Sequence, residues 1–346
     1  MGDVNKNSMR EVFHNEKFSQ FRQQILSGEL PESCRFCKEM ESVGLTSNRQ
    51  NVNLRFKNET LTFSSLAESL GTLPFYRPKF LDIRFSNFCN LKCRSCGPLA
   101  STSWGREEGE GLYELKEDIQ KEAFSLVPHL SEIYFAGGEP LIMKENLFLL
   151  EEMKKKNSDI RIVYNTNLST LNFHGKDYLE EWKGLKNISI IASFDEVGEQ
   201  AEYLRSGLRF TSFLQNAHKL VDAKIFLEFH VVVSVINVFS IRKMIKFLSE
   251  EFPHQGVHYT LLTTPTLLRI SVLPQDLRQH LINDLIQLQK EAKEAHHPIL
   301  KLMLHELGLD HTEYLPQTLS YLRELDRRRG ESFKQFFPAH PLAALI

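Results

Sequence analysis

Short apolar runs rich in β-branched and aromatic residues recur from residue 80 onward: Phe80 to Phe85, Glu132 to Phe135, Ile160 to Tyr164, Ile188 to Ala192, Phe226 to Val235 and Val257 to Leu262. Between them, Tyr113 to Leu126, Glu145 to Lys156 and Phe213 to Ala223 carry apolar residues at helical spacing. Strands alternating with helices predict parallel βα units, whose chemistry gathers in the loops at the carboxyl ends of the strands. Ahead of this region, Met9, Val12, Phe13, Phe21 and Ile25 predict a helix stopped by Gly28. Ser47 to Asn58 shows no period and reads as a loop or loose connection running to about Pro78. From Pro274 the pattern turns helical, with Leu277, Leu281, Leu285 and Leu288 on one face. The chain thus divides into an N-terminal region (1–75), a βα core (76–265) and a helical C-terminal extension (266–346).

Composition narrows the class. At 346 residues, 42% hydrophobic and 25% charged, the chain has globular values rather than those of a disordered or collagen-like protein. With 42 Lys+Arg against 44 Asp+Glu there is no nucleic-acid signature. The densest apolar stretch, Ile225 to Ile236, is interrupted by Glu228 and His230, short of the roughly 18 residues a membrane span requires. Met-Gly-Asp-Val-Asn-Lys at the start lacks the layout of a secretory signal, and Lys6 departs from the myristoylation pattern, so a cytoplasmic protein is expected. Five cysteines fall in two tight clusters within the first hundred residues, poor geometry for structural disulfides and suggestive of metal in a reducing compartment.

The second cluster follows the first core strand: Ser86-Asn-Phe-Cys89-Asn-Leu-Lys-Cys93-Arg-Ser-Cys96-Gly97-Pro98. Three thiolates at this spacing can hold three irons of a cubane and leave the fourth open; the spacing also admits a three-thiolate zinc site or a chance cluster of reduced thiols. With Phe88 before the first cysteine and Gly97-Pro98 behind the last, the loop resembles the cluster-binding motif of the radical S-adenosylmethionine (radical SAM) superfamily. One βα unit later, Gly137-Gly138-Glu139-Pro140 is similar to the family's GGEP motif.

The resemblance implies a partial (β/α)6 TIM-like barrel, a [4Fe–4S] cluster on Cys89, Cys93 and Cys96, and SAM chelated to the fourth iron. Physically, the paired glycines let backbone approach a ligand, and Glu139 with neighbouring carbonyls can accept from a methionyl ammonium. Tyr164-Asn165-Thr166-Asn167 supplies a polar strand exit that suits a cofactor wall or an ordinary turn. By resemblance, Ser193 and Arg205 hold the SAM carboxylate and a polar residue near Asp195 meets the ribose; Arg205 could instead be a helix-surface residue paired with Glu202. Asn237, after Val235-Ile236, is placed on the adenine side. The implied reaction is reductive SAM cleavage to a 5′-deoxyadenosyl radical that abstracts hydrogen from substrate.

The first pair, Cys34-x2-Cys37, lies in a segment with Ser8, Glu11, Phe13-His14-Asn15, Arg22, Gly28, Pro31, Glu41 and Gly44 that resembles the cysteine-bearing region of twitch-domain and SPASM-like radical SAM proteins. That implies a second iron–sulfur cluster, for which two thiols are too few, and an N-terminus shorter than in those relatives. An incomplete auxiliary site, another metal or inert thiols remain open. The relatives imply a peptide or small-metabolite substrate and an electron donor such as flavodoxin or ferredoxin; the competing expectation is a non-catalytic iron–sulfur or zinc-binding scaffold. Gly105, Gly109 and Gly111 mimic a phosphate loop, but Glu107, Glu108 and Glu110 would repel an anion. His296-His297-Pro298 reads as solvated histidines at a helix break, His305-Glu306 to His311 lacks metalloprotease spacing, and Asp326-Arg327-Arg328-Arg329 reads as an exposed charge run. The twitch relatives show a similar Asp-Arg segment near their C-termini.

Overall fold

The computed structural model of the chain describes residues 2–42, 44–58 and 76–346. Two compact units are resolved: residues up to Lys79 with Leu115–Leu130, and Phe80–Glu114 with Ser131–Ile346.

The larger unit is built on a six-stranded parallel sheet. Its strands are β1 (Phe80–Ile83), β2 (Glu132–Phe135), β3 (Arg161–Thr166), β4 (Asn187–Ser193), β5 (Phe226–Val233) and β6 (Gly256–Leu261), and their order in the sheet is their order in the sequence. Each expected strand is present, with ends shifted by at most two residues. One row of the register, Phe135, Tyr164, Ile190 and Leu227, is fully apolar and buried. Helices Lys144–Lys156, Phe210–Asp222 and Ile241–Glu251 bury Leu150 and Met153, Phe213 and Leu220, and Met244 and Leu248 in turn. The opposite face mixes apolar residues such as Val163, Ile191 and Val232 with polar ones such as Asp82, Asn165, Ser189, Glu228 and His230. Along β5, Leu227, Phe229, Val231 and Val233 are buried while Glu228, His230 and Val232 alternate with them on the other side. A parallel strand covered by apolar packing on both faces would be apolar throughout. The polar residues therefore mark the face where chemistry can be done.

The C-terminal helices Gln275–Glu291, His297–Leu307 and Leu315–Arg329 cluster with this sheet. His296 is buried at 4% exposure, with Tyr259 Oη 2.7 Å from its Nδ1, so the expectation of a solvated histidine is overturned. The charge run is split: Arg327 is exposed, but Asp326 is buried and the Arg329 side chain is only 3% exposed. Sequence patterning cannot register this, because their side-chain partners Arg94, Tyr203, Glu107 and Ser206 lie more than a hundred residues away.

In the smaller unit the helix expected from Met9 to Ile25 is two, Met9–His14 and Glu16–Leu26. Extended Asn15 breaks it and caps the second by accepting from Phe18 N at 2.8 Å. Ser8 and Glu11 form a capping box on the first, and the Glu122 carboxylate accepts from Met9 N and Arg10 N at 2.7 and 2.9 Å, where helix N–H groups lack internal partners. The loop expected at Ser47–Asn58 is instead a helix, Asn48–Arg55, begun by a Ser47/Gln50 capping box. The remainder of that expected connection, 59–75, lies outside the described residues. Helix Glu117–Leu126 starts four residues later than expected, with Glu117 and Asp118 in its first turn. Among the described residues no helix is long and apolar enough to cross a membrane.

Candidate functional site

Beyond β1 the chain turns through Ser86–Gly97, and Cys89, Cys93 and Cys96 line a cavity of about 250 Å3 at the carboxyl end of the sheet. Gly137, Gly138 and Glu139 after β2 line the same cavity. So do Asn165, Thr166 and Asn167 at the end of β3, Ser193 at the end of β4, and Arg205. Eight of the residues expected there, from four separate places in the chain, thus join the three thiols at one place. Pro140, Asp195 and Asn237 do not line it. Pro140 opens the short turn Pro140–Ile142. Asn237 is buried, its amide donating to Asp195 O and Val232 O, both at 2.8 Å, which ties the exits of β4 and β5 together.

The thiol loop has little regular structure and is held by neighbours. Lys92–Cys93 pairs antiparallel with Arg205–Ser206, setting Cys93 opposite Arg205. Ser103 Oγ donates to Cys89 O at 2.7 Å, Ser101 Oγ to Leu91 O at 2.6 Å and Trp104 Nε1 to Cys93 O at 2.7 Å. These three donors sit at the start of helix Thr102–Glu108, whose left-handed end is Gly109. The glycines resembling a phosphate loop therefore serve that helix; a Cβ on Gly105 would meet Glu110 O at 2.7 Å.

Glu139 N donates to Phe88 O at 2.8 Å, joining the second motif to the first. At Gly138, φ is +50° and a Cβ would meet Phe88 O at 2.2 Å, so only glycine permits this approach. The Glu139 side chain, 1% exposed, accepts from Thr166 Oγ1 at 2.6 Å, Asn167 N at 2.6 Å and Leu141 N at 3.0 Å. Burial raises its pKa, against the lowering pull of those donors. A carboxylate has about four acceptor sites, so one is left for a ligand. Its larger role is to staple the exit of β2 to that of β3.

Arg205 is buried and is paired not with Glu202 but with Asp195, Nη2 to Oδ2 at 2.9 Å, while Nη1 lies 3.7 Å from Cys93 Sγ. Asp195 Oδ1 also accepts from Val232 N at 3.1 Å, which fixes the aim of the pair. Burial opposes the Arg205 charge, yet Asp195 and the neighbouring thiols hold its pKa above the ordinary range. Among the described residues its buried Nε has no hydrogen-bond partner. Hydrogen bonding with Cys96 and the nearby Arg205 keep the Cys93 thiol below its usual pKa against burial; burial beside Glu139 pushes Cys89 up to about 12.

Three thiols lining one cavity are a donor set that fits an iron–sulfur cluster. Among the described residues no three His, Cys, Asp or Glu side chains converge as one ion requires. The cation beside the thiols and its buried guanidinium N–H suit an anionic cluster with a carboxylate-bearing ligand. Cys34 ends the short turn Glu32–Cys34 and Cys37 lies in helix Arg35–Ser42; both are half-buried.

His230 also lines the cavity and was absent from the expected set. Its Nε2 is 2.8 Å from Thr260 Oγ1, and burial, aided by His258, lowers its pKa to about 4. The available signal was a histidine that, with Glu228, interrupts an apolar strand.

Residues 83–248 match the Radical SAM superfamily, and this stretch is a domain of that superfamily. GTP 3′,8-cyclase of Campylobacter lari is 27% identical over 124 residues, covering 36% of this chain and 37% of the cyclase. The tungsten-containing aldehyde ferredoxin oxidoreductase cofactor-modifying protein of Pyrococcus furiosus is 33% identical over 93 residues, covering 27% of this chain and 25% of that protein. The alignments therefore span well under half of either relative. Streptococcus suis SuiB bound to precursor peptide SuiA superposes with a TM-score of 0.47 at 18% identity, covering 82% of this chain and 64% of SuiB.

Proposed function

We propose that a chain with a Radical SAM superfamily domain across 83–248 acts as a radical SAM enzyme of the partial-barrel type. The observation that carries the reading is the meeting of Cys89, Cys93 and Cys96 with Gly137, Gly138, Glu139 and Arg205 around one cavity. In this reading the three thiolates hold a [4Fe–4S] cluster, and the bound cluster with SAM supplies a 5′-deoxyadenosyl radical that takes a hydrogen atom from substrate. The backbone at Gly137 and Gly138 receives the SAM ammonium, with Glu139 setting the loop and offering its remaining acceptor site. Arg205, aimed by Asp195, and Ser193 receive the SAM carboxylate; a planar guanidinium suits that group. Asn165 lines the ribose side, and Asn237 fixes the backbone of the adenine side. The sheet and its helices bury Cys89 and Cys93 and so limit water there, while Cys96 is exposed.

The proposal extends to a twitch- or SPASM-like subtype, a peptide or small-metabolite substrate and a flavodoxin- or ferredoxin-type electron donor. No auxiliary cluster is assigned to Cys34 and Cys37. Anaerobic reconstitution with iron and sulfide counting is the test: about four irons per chain are expected, lost on changing Cys89, Cys93 or Cys96 to Ala and retained with Cys34→Ala or Cys37→Ala. Addition of SAM should alter the EPR spectrum of the reduced protein. A zinc-loaded chain without such a response would support a scaffold instead.

A further inference from the structure

Arg94 sits between two of the thiols and is wholly buried at 0% exposure. Its partners come from Tyr203–Leu204 and from the far end of the chain. Nη2 donates to Asp326 Oδ1 at 2.7 Å and to Glu331 Oε2 at 2.6 Å, while Nε donates to Tyr203 O at 3.1 Å. The guanidinium lies 3.6 Å over the Tyr203 ring. Arg94 N donates to Leu204 O at 2.7 Å, and Arg94 O accepts from Tyr321 Oη at 2.6 Å. Asp326 is the hub: it also accepts from Tyr203 Oη at 2.8 Å and Phe333 N at 2.6 Å. Gly330, at φ +63°, turns the chain there so that Glu331 comes back beside Arg94.

A second set of contacts runs parallel to the first. Arg329 Nη1 donates to Lys92 O at 2.9 Å and Ser206 Oγ at 3.1 Å, bridging the two short strands that set Cys93 opposite Arg205. Its guanidinium lies 4.7 Å from the ring centre of Trp104, the residue that holds Cys93 O. The C-terminal segment thus grips the thiol loop and the Arg205 strand together.

Buried ion pairs are inefficient at raising stability, since apolar residues of similar volume serve as well. What a guanidinium fork supplies is direction. We propose that Asp326–Phe333 is a positioning clasp: through Arg94 and Arg329 it fixes where Cys93 and Cys96 present their thiols and keeps Cys93 beside Arg205. Neither Arg94 nor any residue of the clasp lines the thiol cavity. The proposal rests on the reading of Cys89, Cys93 and Cys96 as cluster ligands.

The test compares Asp326→Asn and Glu331→Gln with Glu306→Gln, in the full chain. Glu306 forms a buried bidentate pair with Arg269 at 2.7 Å, apart from the thiol loop, and controls for loss of a buried pair as such. After anaerobic reconstitution, iron release to a chelator should be about 10- to 100-fold faster in Asp326→Asn, the range for partners that orient metal ligands, and faster in the same direction in Glu331→Gln. Glu306→Gln should lower the melting temperature without hastening iron release. In the iron-free protein, iodoacetamide should label Cys93 faster in both clasp variants, with Cys34 and Cys37 labelled at wild-type rates. Should Asp326→Asn fail to fold, the more exposed Glu331 decides. Wild-type rates in Glu331→Gln, or equal acceleration in Glu306→Gln, would overturn the clasp. A wild-type chain that takes up no cluster would remove the ligand assignment, and the Cys93 labelling rates would still judge the clasp.

Discussion

At Glu139 a buried carboxylate satisfies three donors, so Glu139→Gln turns one acceptor oxygen into an amide N–H facing them. The expected loss is about 1–3 kcal/mol of stability, read from urea midpoints, together with weaker SAM binding by calorimetry. Unchanged values in both would deny the staple. His340 shows burial acting on a base: it lies 2.9 Å from Val235 O through Nε2 and accepts from Leu342 N through Nδ1, an arrangement only the neutral ring can make. Burial lowers its pKa and that of His230 from 6.5 to about 4. Between those values the unfolded chain binds more protons than the folded one, so stability is complete above pH 6.5 and falls as pH drops toward 4. His230→Asn should flatten this acid limb by up to about 3 kcal/mol; an unaltered pH–stability curve would contradict it. Of these residues only Glu139 was legible in advance, because a four-residue motif names it. His230 was visible merely as a flaw in an apolar run, and Arg94 was hidden between cysteines that drew the eye.

Elements were read more securely where burial has a period. All six strands announced themselves because parallel strands concentrate β-branched and aromatic residues. Helix Asn48–Arg55 went unread because it buries no residue and has no apolar stripe; its signal was the Ser47/Gln50 box, a local cue needing no periodicity. Helix ends moved for the same reason, Asn15 splitting a run whose apolar spacing continues across it. Glycine positions give a sharp contrast at this scale. Gly138→Ala drives a methyl into Phe88 O, so it should displace the thiol loop and lower SAM affinity at least tenfold, roughly the effect of misplacing a site by an ångström. Gly175, also at positive φ but with nothing within 4 Å, should lose only about 1–2 kcal/mol on change to Ala. SAM titration of both variants checks the pair; equal affinities would remove the close-approach argument.

Across the whole molecule, the site is assembled by contacts spanning the sequence: Cys93 faces Arg205, Arg94 meets Asp326, and Gly138 meets Phe88. Motif order announced the first and third of these groups, since βα units bring successive strand exits to one end of a parallel sheet. Nothing local announced the second. A charged tail reads as solvated until its partners are known, and here half of it is buried against the thiol loop. The account stands most directly on one measurement, 5′-deoxyadenosine formed from SAM by the anaerobically reconstituted, dithionite-reduced chain. Wild type should form it and Cys93→Ala should not; equal formation by both, or none by a fully iron-loaded wild type, would contradict the account.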